Sequence, residues 1–216
     1  MKPDELDHVW QIQTQLNELA RYVREFEGAL SLMDFAREEW IRCVDLMSGP
    51  NFEEANERQN LVSIWQTIAA RDGALTVQHI AVKMQQISSS IYNSPVLQKN
   101  VNHHTLRAAT KLMDSYFPGS RDLRNAVAHQ SELNKSIDAT RNNSSIGSND
   151  AAGIMNDGSA ELLINEAVYD GRLIQTKDSN IFTCAINTES LSTLVDAVSR
   201  FIGGFSMPDD YFRRDC

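Results

Sequence analysis

The sequence lacks an excess of positive charge and any long apolar run. Its 29 acidic and 20 basic residues give a formal net charge of −9 over 216 residues. No overall positive field therefore attracts polyanions, and any contact with nucleic acid must depend on a local basic patch. No apolar run approaches the roughly 18 residues of a membrane span, and the first residues lack the apolar core of a signal peptide. We expect a cytoplasmic protein with no membrane partner.

Cysteine is also scarce. Cys43, Cys184 and Cys216 are odd in number and do not have the spacing of a metal site. We expect reduced thiols, with Cys43 and Cys184 packed in the core. The adjacent His103 and His104 cannot share a helix face, which argues against a metal role for that pair. The sequence therefore predicts neither a metal nor another cofactor.

The first third of the chain carries a helical apolar pattern. Apolar residues recur every three or four positions over residues 5–47, and only Arg37 interrupts the stripe. This spacing predicts one long helix, or two stacked helices that meet near Gly28, ended by Ser48-Gly49-Pro50. Such sustained spacing is typical of a helix that packs along a partner helix, either within the chain or across a dimer.

A second long helix is predicted over about 51–92. Asp72 and His79 fall on its apolar stripe, seven residues apart. They are interpreted either as buried, hydrogen-bonded core residues or as supporting groups near a functional site. Gly73 allows close approach of another backbone. The stripe consists of Leu61, Ile64, Trp65, Ile68, Leu75, Val82 and Ile87.

Two shorter helices complete the predicted helical core. The first covers about Thr105–Phe117 and ends at Pro118-Gly119. Ser120 is a favourable N-cap for the second, which runs to about Leu133. We therefore expect residues 1–133 to form a helical bundle.

The composition changes after this core. Residues 134–159 are rich in Asn, Ser, Asp and Gly without an apolar period, which predicts a flexible loop. Strand-forming residues over 160–187, with a turn at Lys177–Asn180, predict a β-hairpin. A C-terminal helix over 188–205 is expected to pack on the core, and 206–216 to form a tail.

The segment Leu123–His129 combines three polar side chains within two helical turns. Asn125 and His129 are four residues apart and share a helix face. Arg124 lies about 140° around an ideal helix from His129, so only its long side chain can reach the same region. An Arg fork binds phosphate oxygens, and a His transfers protons near neutral pH.

These three side chains could cleave RNA without a metal. His129 would deprotonate the ribose 2′-hydroxyl or protonate the leaving 5′-oxygen. Arg124 would stabilise the charge that develops on the phosphate, and Asn125 would orient the His or hold a phosphate oxygen. A second proton-transfer group is needed, and a homodimer with two facing motifs would supply it. The alternative interpretation is a surface Arg, a first-turn Asn and a packed His.

The motif Arg124-Asn125-Ala126-Val127-Ala128-His129 resembles the Arg-x4-His motif of the HEPN superfamily, in its Arg-Asn-x3-His form. The preceding segment from Phe117 is similar too, as is the order of two long helices, two shorter ones, a hairpin and a closing helix. The resemblance covers about residues 5–133. It implies a mainly α, HEPN-like antiparallel helical bundle, here with a small β-hairpin inserted before the C-terminal helix, and homodimerisation with the motifs at the subunit cleft.

In many HEPN members the fold also implies metal-independent endoribonuclease activity in toxin–antitoxin, abortive-infection or CRISPR settings. By position, Arg124 and His129 would be the catalytic pair and Asn125 the neighbouring polar residue. Some relatives serve only as binding or dimerisation modules. Three functions stay open: a toxin-type or phage-defence endoribonuclease with an antitoxin or regulatory partner, a non-catalytic dimer that binds nucleotide or RNA, and an interaction protein that docks through its hairpin.

Overall fold

The computed structural model shows a mainly helical chain. It describes residues 3–47, 52–120, 136–145, 147, 154–155, 161–164 and 166–205. These residues form six helices and a three-stranded antiparallel sheet that precedes the last helix. The predicted fold class, mainly α with a small β element before the C-terminal helix, is confirmed at this level. Within the described ranges, no helix combines the length and apolar character that a membrane span requires.

Two long helices dominate the chain. Helix α1 spans Pro3–Met47 and helix α2 spans Phe52–Ile91. Helix α1 continues through Gly28 without a break, so the one-helix alternative is the correct one. A short helix that the sequence did not predict, α3, spans Pro95–Asn100. Ser94 is its N-cap, and the Ser94 hydroxyl accepts a hydrogen bond from the N–H of Leu97 in the first turn.

Three further helices follow. Helix α4 spans His103–Tyr116, helix α5 spans Ile137–Asn143 and helix α6 spans Thr188–Gly203. Helix α5 lies within residues 134–159, for which the composition predicted only loop. Its N-terminus is capped by the hydroxyl of Ser136, so a single capping side chain satisfies an N–H group of this seven-residue helix.

The sheet has three strands where a two-stranded hairpin was predicted. Strand β1 spans Ala167–Tyr169, β2 spans Arg172–Lys177 and β3 spans Asn180–Ala185, in the order β1-β2-β3. Two-residue turns join them at Asp170–Gly171 and Asp178–Ser179, and all four turn residues have φ between 47° and 67°. These values fit the type I′ turn that the twist of antiparallel strands favours.

Beyond the end of β1, the edge of β2 pairs with residues 164–166 through one backbone hydrogen bond and two side chains. The N–H of Thr176 donates to the carbonyl of Ile164 at 2.9 Å, and the Thr176 hydroxyl accepts the Ile164 N–H at 2.9 Å. Glu166, with φ 52°, interrupts regular pairing, and its N–H is accepted by Oε1 of the buried Gln175 at 2.9 Å. Buried polar side chains of β2 thus replace missing ladder hydrogen bonds.

Two compact units are distinguished by their internal packing. The first is helical, and the second contains the sheet. The first takes its described residues from Met1–Arg24, His79–Pro118 and Ser192–Cys216, and the second from Glu25–Gln78 and Gly119–Leu191.

In the first unit, the segments of α1 and α2 run antiparallel. Lys83 of α2 pairs with Glu18 of α1 at 2.7 Å. His79, one turn earlier in α2, packs its ring 5.4 Å from that of Tyr22, one turn later in α1. Burial of apolar side chains from five helices stabilises this unit. Its fully buried larger side chains are Leu19, Ile80, Met84, Ile87, Ile91, Leu97, Met113 and Phe201.

In the second unit, the segments of α1 and α2 are also antiparallel. The Phe35 and Trp65 rings lie 5.5 Å apart, and further along α1 Glu39 pairs with the earlier α2 residue Arg58. The predicted core positions of Cys43 and Cys184 are confirmed, since both thiols are buried. Other buried members are Phe26, Leu30, Met33, Ala36, Val62, Ala69, Ala74, Val77, Leu173, Ile174 and Ile186.

The buried face of α2 in this unit is lined by small residues. Leu61 and Ile64, which belong to the apolar stripe identified in the sequence, are 46% and 55% exposed. Buried residues lie one position after members of that stripe, as Val62 does after Leu61. Small side chains on this buried face allow neighbouring elements to approach closely. They include Ala55, Val62, Ala69, Ala70, Gly73, Ala74 and Val77.

Gly73 is where the end of the sheet meets α2. A Cβ at this position would lie 2.7 Å from Cδ1 of Ile186, which follows β3 and is 1% exposed. A close approach at Gly73 is observed, but the prediction that another backbone makes it is wrong, because the approaching group is the Ile186 side chain. The missing Cβ leaves the space that the Ile186 side chain fills.

Candidate functional site

The predicted catalytic residues Arg124, Asn125 and His129 lie in 121–135, outside the described residues. Their roles, and the dimer cleft in which they would meet a second copy, stay predictions. The described residues on either side of this segment can nevertheless be placed in the second unit.

The chain enters the motif segment through a glycine that contacts the sheet. Gly119 has φ 74°, a conformation that strongly favours glycine. A Cβ here would also lie 2.9 Å from Cδ1 of Phe182 on β3. Backbone conformation and available space therefore both require glycine at the start of the motif segment.

The chain leaves the motif segment through α5, which is also tied to the sheet. Asn143, at the end of α5, is buried, and its Oδ1 accepts the backbone N–H of Asp178 at 3.3 Å. Two residues later, Ser145 exchanges two backbone hydrogen bonds of 2.8 Å with Leu162. Both described flanks of the motif thus contact the β2–β3 hairpin or the chain that leads into it.

Asp72 was predicted to be either a buried core residue or a supporting group of a site. The first interpretation is wrong, because its side chain is 58% exposed. Its carboxylate lies 4.0 Å from the guanidinium of the adjacent Arg71, which is a weak, solvent-screened contact. Its predicted role near the motif stays untested.

His79 is also exposed, so the buried alternative is wrong for this residue too. Its ring packs at a tilt of 42° against Tyr22, and the guanidinium of Arg21 lies 5.2 Å from the centroid of the same Tyr ring. This is a ring contact between α1 and α2 supplemented by a cation–π contact. These contacts account for a His on a partly apolar helix face, and the predicted role of His79 as a supporting group near a functional site stays untested.

Glu39 is a charged core residue that the sequence analysis did not identify. Its side chain is 3% exposed, and its carboxylate accepts hydrogen bonds from both Arg58 and Arg42. The hydrogen bond from Arg58 is the main cause that lowers its pKa below 4.5. The sequence signal for this buried acid was its helical spacing: Glu39 lies three residues after Ala36 and four before Cys43, and an arginine occurs early in α2. Glu39 therefore belongs to a structural ion pair, and its covered carboxylate is not accessible to a substrate.

The buried Cys184 thiol and the possible metal ligands bear on nucleophilic and metal chemistry among the described residues. Burial raises the pKa of the Cys184 thiol to about 12, so this sulfur stays protonated at neutral pH. No group of three or more His, Cys, Asp or Glu side chains is arranged to hold a metal ion in the described ranges.

Comparisons with protein families, with curated proteins and with solved structures give no match to this chain. The HEPN resemblance is therefore neither supported nor refuted by relatives, and it depends on the motif and the order of helices alone.

Proposed function

We propose that the protein is a HEPN-like, metal-independent endoribonuclease of the toxin or phage-defence type, with a composite site at a homodimer cleft. The observation that carries the proposal is the sequence Arg124-Asn125-Ala126-Val127-Ala128-His129. Its setting is favourable, because two long helices and the shorter helices α3 and α4 precede it in a mainly helical chain.

In this mechanism one imidazole acts as base and a second as acid. Neutral His129 takes the proton of a ribose 2′-hydroxyl, and the 2′-oxygen attacks the adjacent phosphorus. The bond from phosphorus to the 5′-oxygen breaks, and protonated His129 of the partner subunit gives that oxygen its proton. The products are a 2′,3′-cyclic phosphate and a free 5′-hydroxyl. Arg124 stabilises the charge on the phosphate oxygens, and Asn125 holds an oxygen or orients the imidazole.

An exposed apolar face supports the homodimer part of the proposal. In the second unit, Phe35, Leu61 and Ile64 are each about half exposed, and Trp65 packs against Phe35. Large apolar side chains clustered on one face are typical of an interaction surface. A second copy of this chain is the partner that the mechanism requires.

A non-catalytic HEPN-like dimer that binds nucleotide, RNA or a protein partner is the second candidate. The net charge of −9 favours the form of this candidate that binds a protein partner, because any protein that binds RNA without a positive field must attract it through a few local cations. In the toxin form of the first proposal, an antitoxin or another regulatory partner would control the activity.

The test is RNA cleavage by the purified full chain and its variants. Arg124→Ala and His129→Ala should each lower the cleavage rate by about 100-fold or more, the usual contribution of acid–base and charge-stabilising groups. His104→Ala is the matched control, because this exposed imidazole lies outside the motif. Helical content and particle mass should not change in any variant.

Cleavage should also continue in the presence of a chelator. Equal cleavage by His129→Ala and the unmodified protein would contradict the proposal, and loss of cleavage with chelator would indicate a metal enzyme instead. Binding of RNA without cleavage by the unmodified protein would favour the non-catalytic dimer.

A further inference from the structure

An open cleft with a volume of about 380 Å³ lies entirely within the second unit. It is bounded by α1, α2, the β1–β2 turn and the chain that leads into α6. Its apolar part includes Leu30, Met33 and Ile186, all buried side chains that keep a small edge open to the cleft. The volume is within the range of roughly 300–1,000 Å³ that is usual for small-molecule sites.

Each of two walls of this cleft carries one carboxylate and one guanidinium. Asp34 and Arg37 lie one turn apart on α1, and Asp170 and Arg172 flank Gly171 at the β1–β2 turn. Among the described residues, none of the four charged side chains forms an ion pair. Arg37 is the residue that interrupts the apolar stripe of α1 in the sequence.

The β1–β2 turn is held firmly in place beside the cleft. Gly171 has φ 67°, and its carbonyl accepts the N–H of Ile186 at 2.8 Å. The strand pairs Tyr169–Arg172 and Arg172–Ala185 extend this support on both sides of the turn. The backbone that carries Asp170 and Arg172 is therefore organised before any ligand binds.

The balance of charges decides which kind of ligand suits the cleft. The two arginines of the cleft would attract a simple anion, but its two aspartates would repel it. A simple cation would be attracted by the aspartates and repelled by the arginines. A ligand with both charges can pair with a guanidinium and a carboxylate together. An apolar group between these charges would lie against the apolar part of the cleft.

From this arrangement we propose that the cleft binds a small zwitterion with an apolar side chain, of the chemical class of an α-amino acid or a dipeptide with free termini. The carboxylate of the ligand pairs with Arg37 or Arg172, and its ammonium group pairs with Asp34 or Asp170. This site is separate from the proposed nuclease motif, and its existence does not depend on that activity.

Calorimetric titration of the full chain with three related probes tests the charge requirement. The probes are the dipeptide alanyl-leucine, its N-acetyl form, which lacks the ammonium, and its C-terminal amide, which lacks the carboxylate. The zwitterion should bind saturably. Each blocked form should bind at least about tenfold more weakly, because each loses one charged hydrogen-bonded pair.

Variants of the chain locate the binding. Arg172→Gln and Asp34→Asn should each weaken binding of the dipeptide by about tenfold or more. The matched controls are Arg107→Gln on α4 and Asp45→Asn on α1, both exposed residues that do not line the cleft, and these should bind as the unmodified protein does.

Three outcomes would overturn the proposal. Absence of saturable binding by any of the probes would remove the site. Equal affinity for the dipeptide and its N-acetyl form would show an anion site instead. Equal losses in the cleft variants and the control variants would place the binding elsewhere on the chain.

Discussion

Glu39 of α1 and Arg58 of α2 form an ion pair across two helices of the second unit, although 19 residues separate them in the sequence. The Glu39 carboxylate is almost completely covered, whereas the side chains of Arg58 and Arg42 stay about half exposed. The acid thus loses its water and gains two guanidinium partners, while both arginines keep part of their hydration. Such a carboxylate would strongly destabilise the fold if its partners were removed.

This pair should give the protein an acid-sensitive component of stability. The hydrogen bond from Arg58 lowers the pKa of Glu39 below 4.5 in the folded chain. The stabilising contribution is therefore complete above pH 4.5 and is lost as the pH falls through the lower folded-state pKa. Urea unfolding should show Glu39→Gln to be less stable than the unmodified protein at neutral pH, with a smaller difference in acid. Glu38→Gln, at an exposed neighbouring position, should show little difference at either pH. A Glu39→Gln difference that does not change with pH would contradict this assignment.

Two helix glycines should respond to alanine in opposite directions. A Cβ at Gly28 meets no atom within 4 Å, so Gly28→Ala should stabilise by up to about 1 kcal/mol through helix propensity. A Cβ at Gly73 meets the buried Ile186, so Gly73→Ala should destabilise by about 1–3 kcal/mol despite the same gain. Chemical denaturation of both variants provides the measurement.

The Gly73 prediction has an internal check. Ile186→Val removes Cδ1, the atom nearest to the added Cβ. The double variant should therefore be more stable than the sum of the two single changes implies. Equal stabilisation by both alanines would mean that Ile186 moves aside at little cost.

The buried cysteines should resist thiol reagents in the folded protein. Burial raises the pKa of Cys184 to about 12, and Cys43 is buried as well. In a Cys216→Ser variant, a chromogenic disulfide should react with neither thiol under native conditions at pH 8 and with both after denaturation in guanidinium. Rapid native labelling of either residue would contradict the packing of that part of the second unit.

The proposed homodimer predicts that a charge on the exposed apolar face of α2 prevents dimerisation. Ile64→Glu places a charge on the apolar face next to Leu61, so sedimentation should show a shift from dimer to monomer without loss of helical content. Ile137→Glu on α5 is the matched control, because that side chain is also highly exposed but lies on a different element. A dimer mass that is unchanged by Ile64→Glu would place the interface elsewhere.

The proposed nuclease mechanism requires one neutral and one protonated imidazole in the same dimer. The cleavage rate should therefore follow a bell-shaped curve over about pH 5–9, as is usual for an acid–base pair. Single-turnover cleavage of a fluorescent oligoribonucleotide measures it. A flat profile would show that His129 does not fill both roles.

The sequence predicted the long helices because apolar residues recur there every three or four positions, but it did not show which face each helix buries. Leu61 and Ile64 suggested one face of α2, whereas Val62 and Ala69 are the covered residues. A hydrophobic period shows which helix faces are apolar, but it does not show which of them the rest of the protein buries. The small residues that face the core are weakly hydrophobic, and their value lies in the close contact that they allow.

The short elements could not be predicted for a different reason. Helix α5 is seven residues long, and it depends on the Ser136 cap and on the hydrogen bond between Asn143 and Asp178. Pairing of Thr176 with Ile164 likewise joins residues 12 positions apart. Isolated segments of this length are marginal in water, so partners distant in the sequence decide their structure. The Asp-Gly pair at the β1–β2 turn is the local signal in the sequence for the extra strand.

The contacts of Gly119 with Phe182 and of Asn143 with Asp178 attach both flanks of residues 121–135 to a single hairpin. A protein that binds the β2–β3 hairpin would therefore contact the element that holds both flanks of residues 121–135. We expect such a partner to alter the cleavage proposed for Arg124 and His129 without contacting either residue.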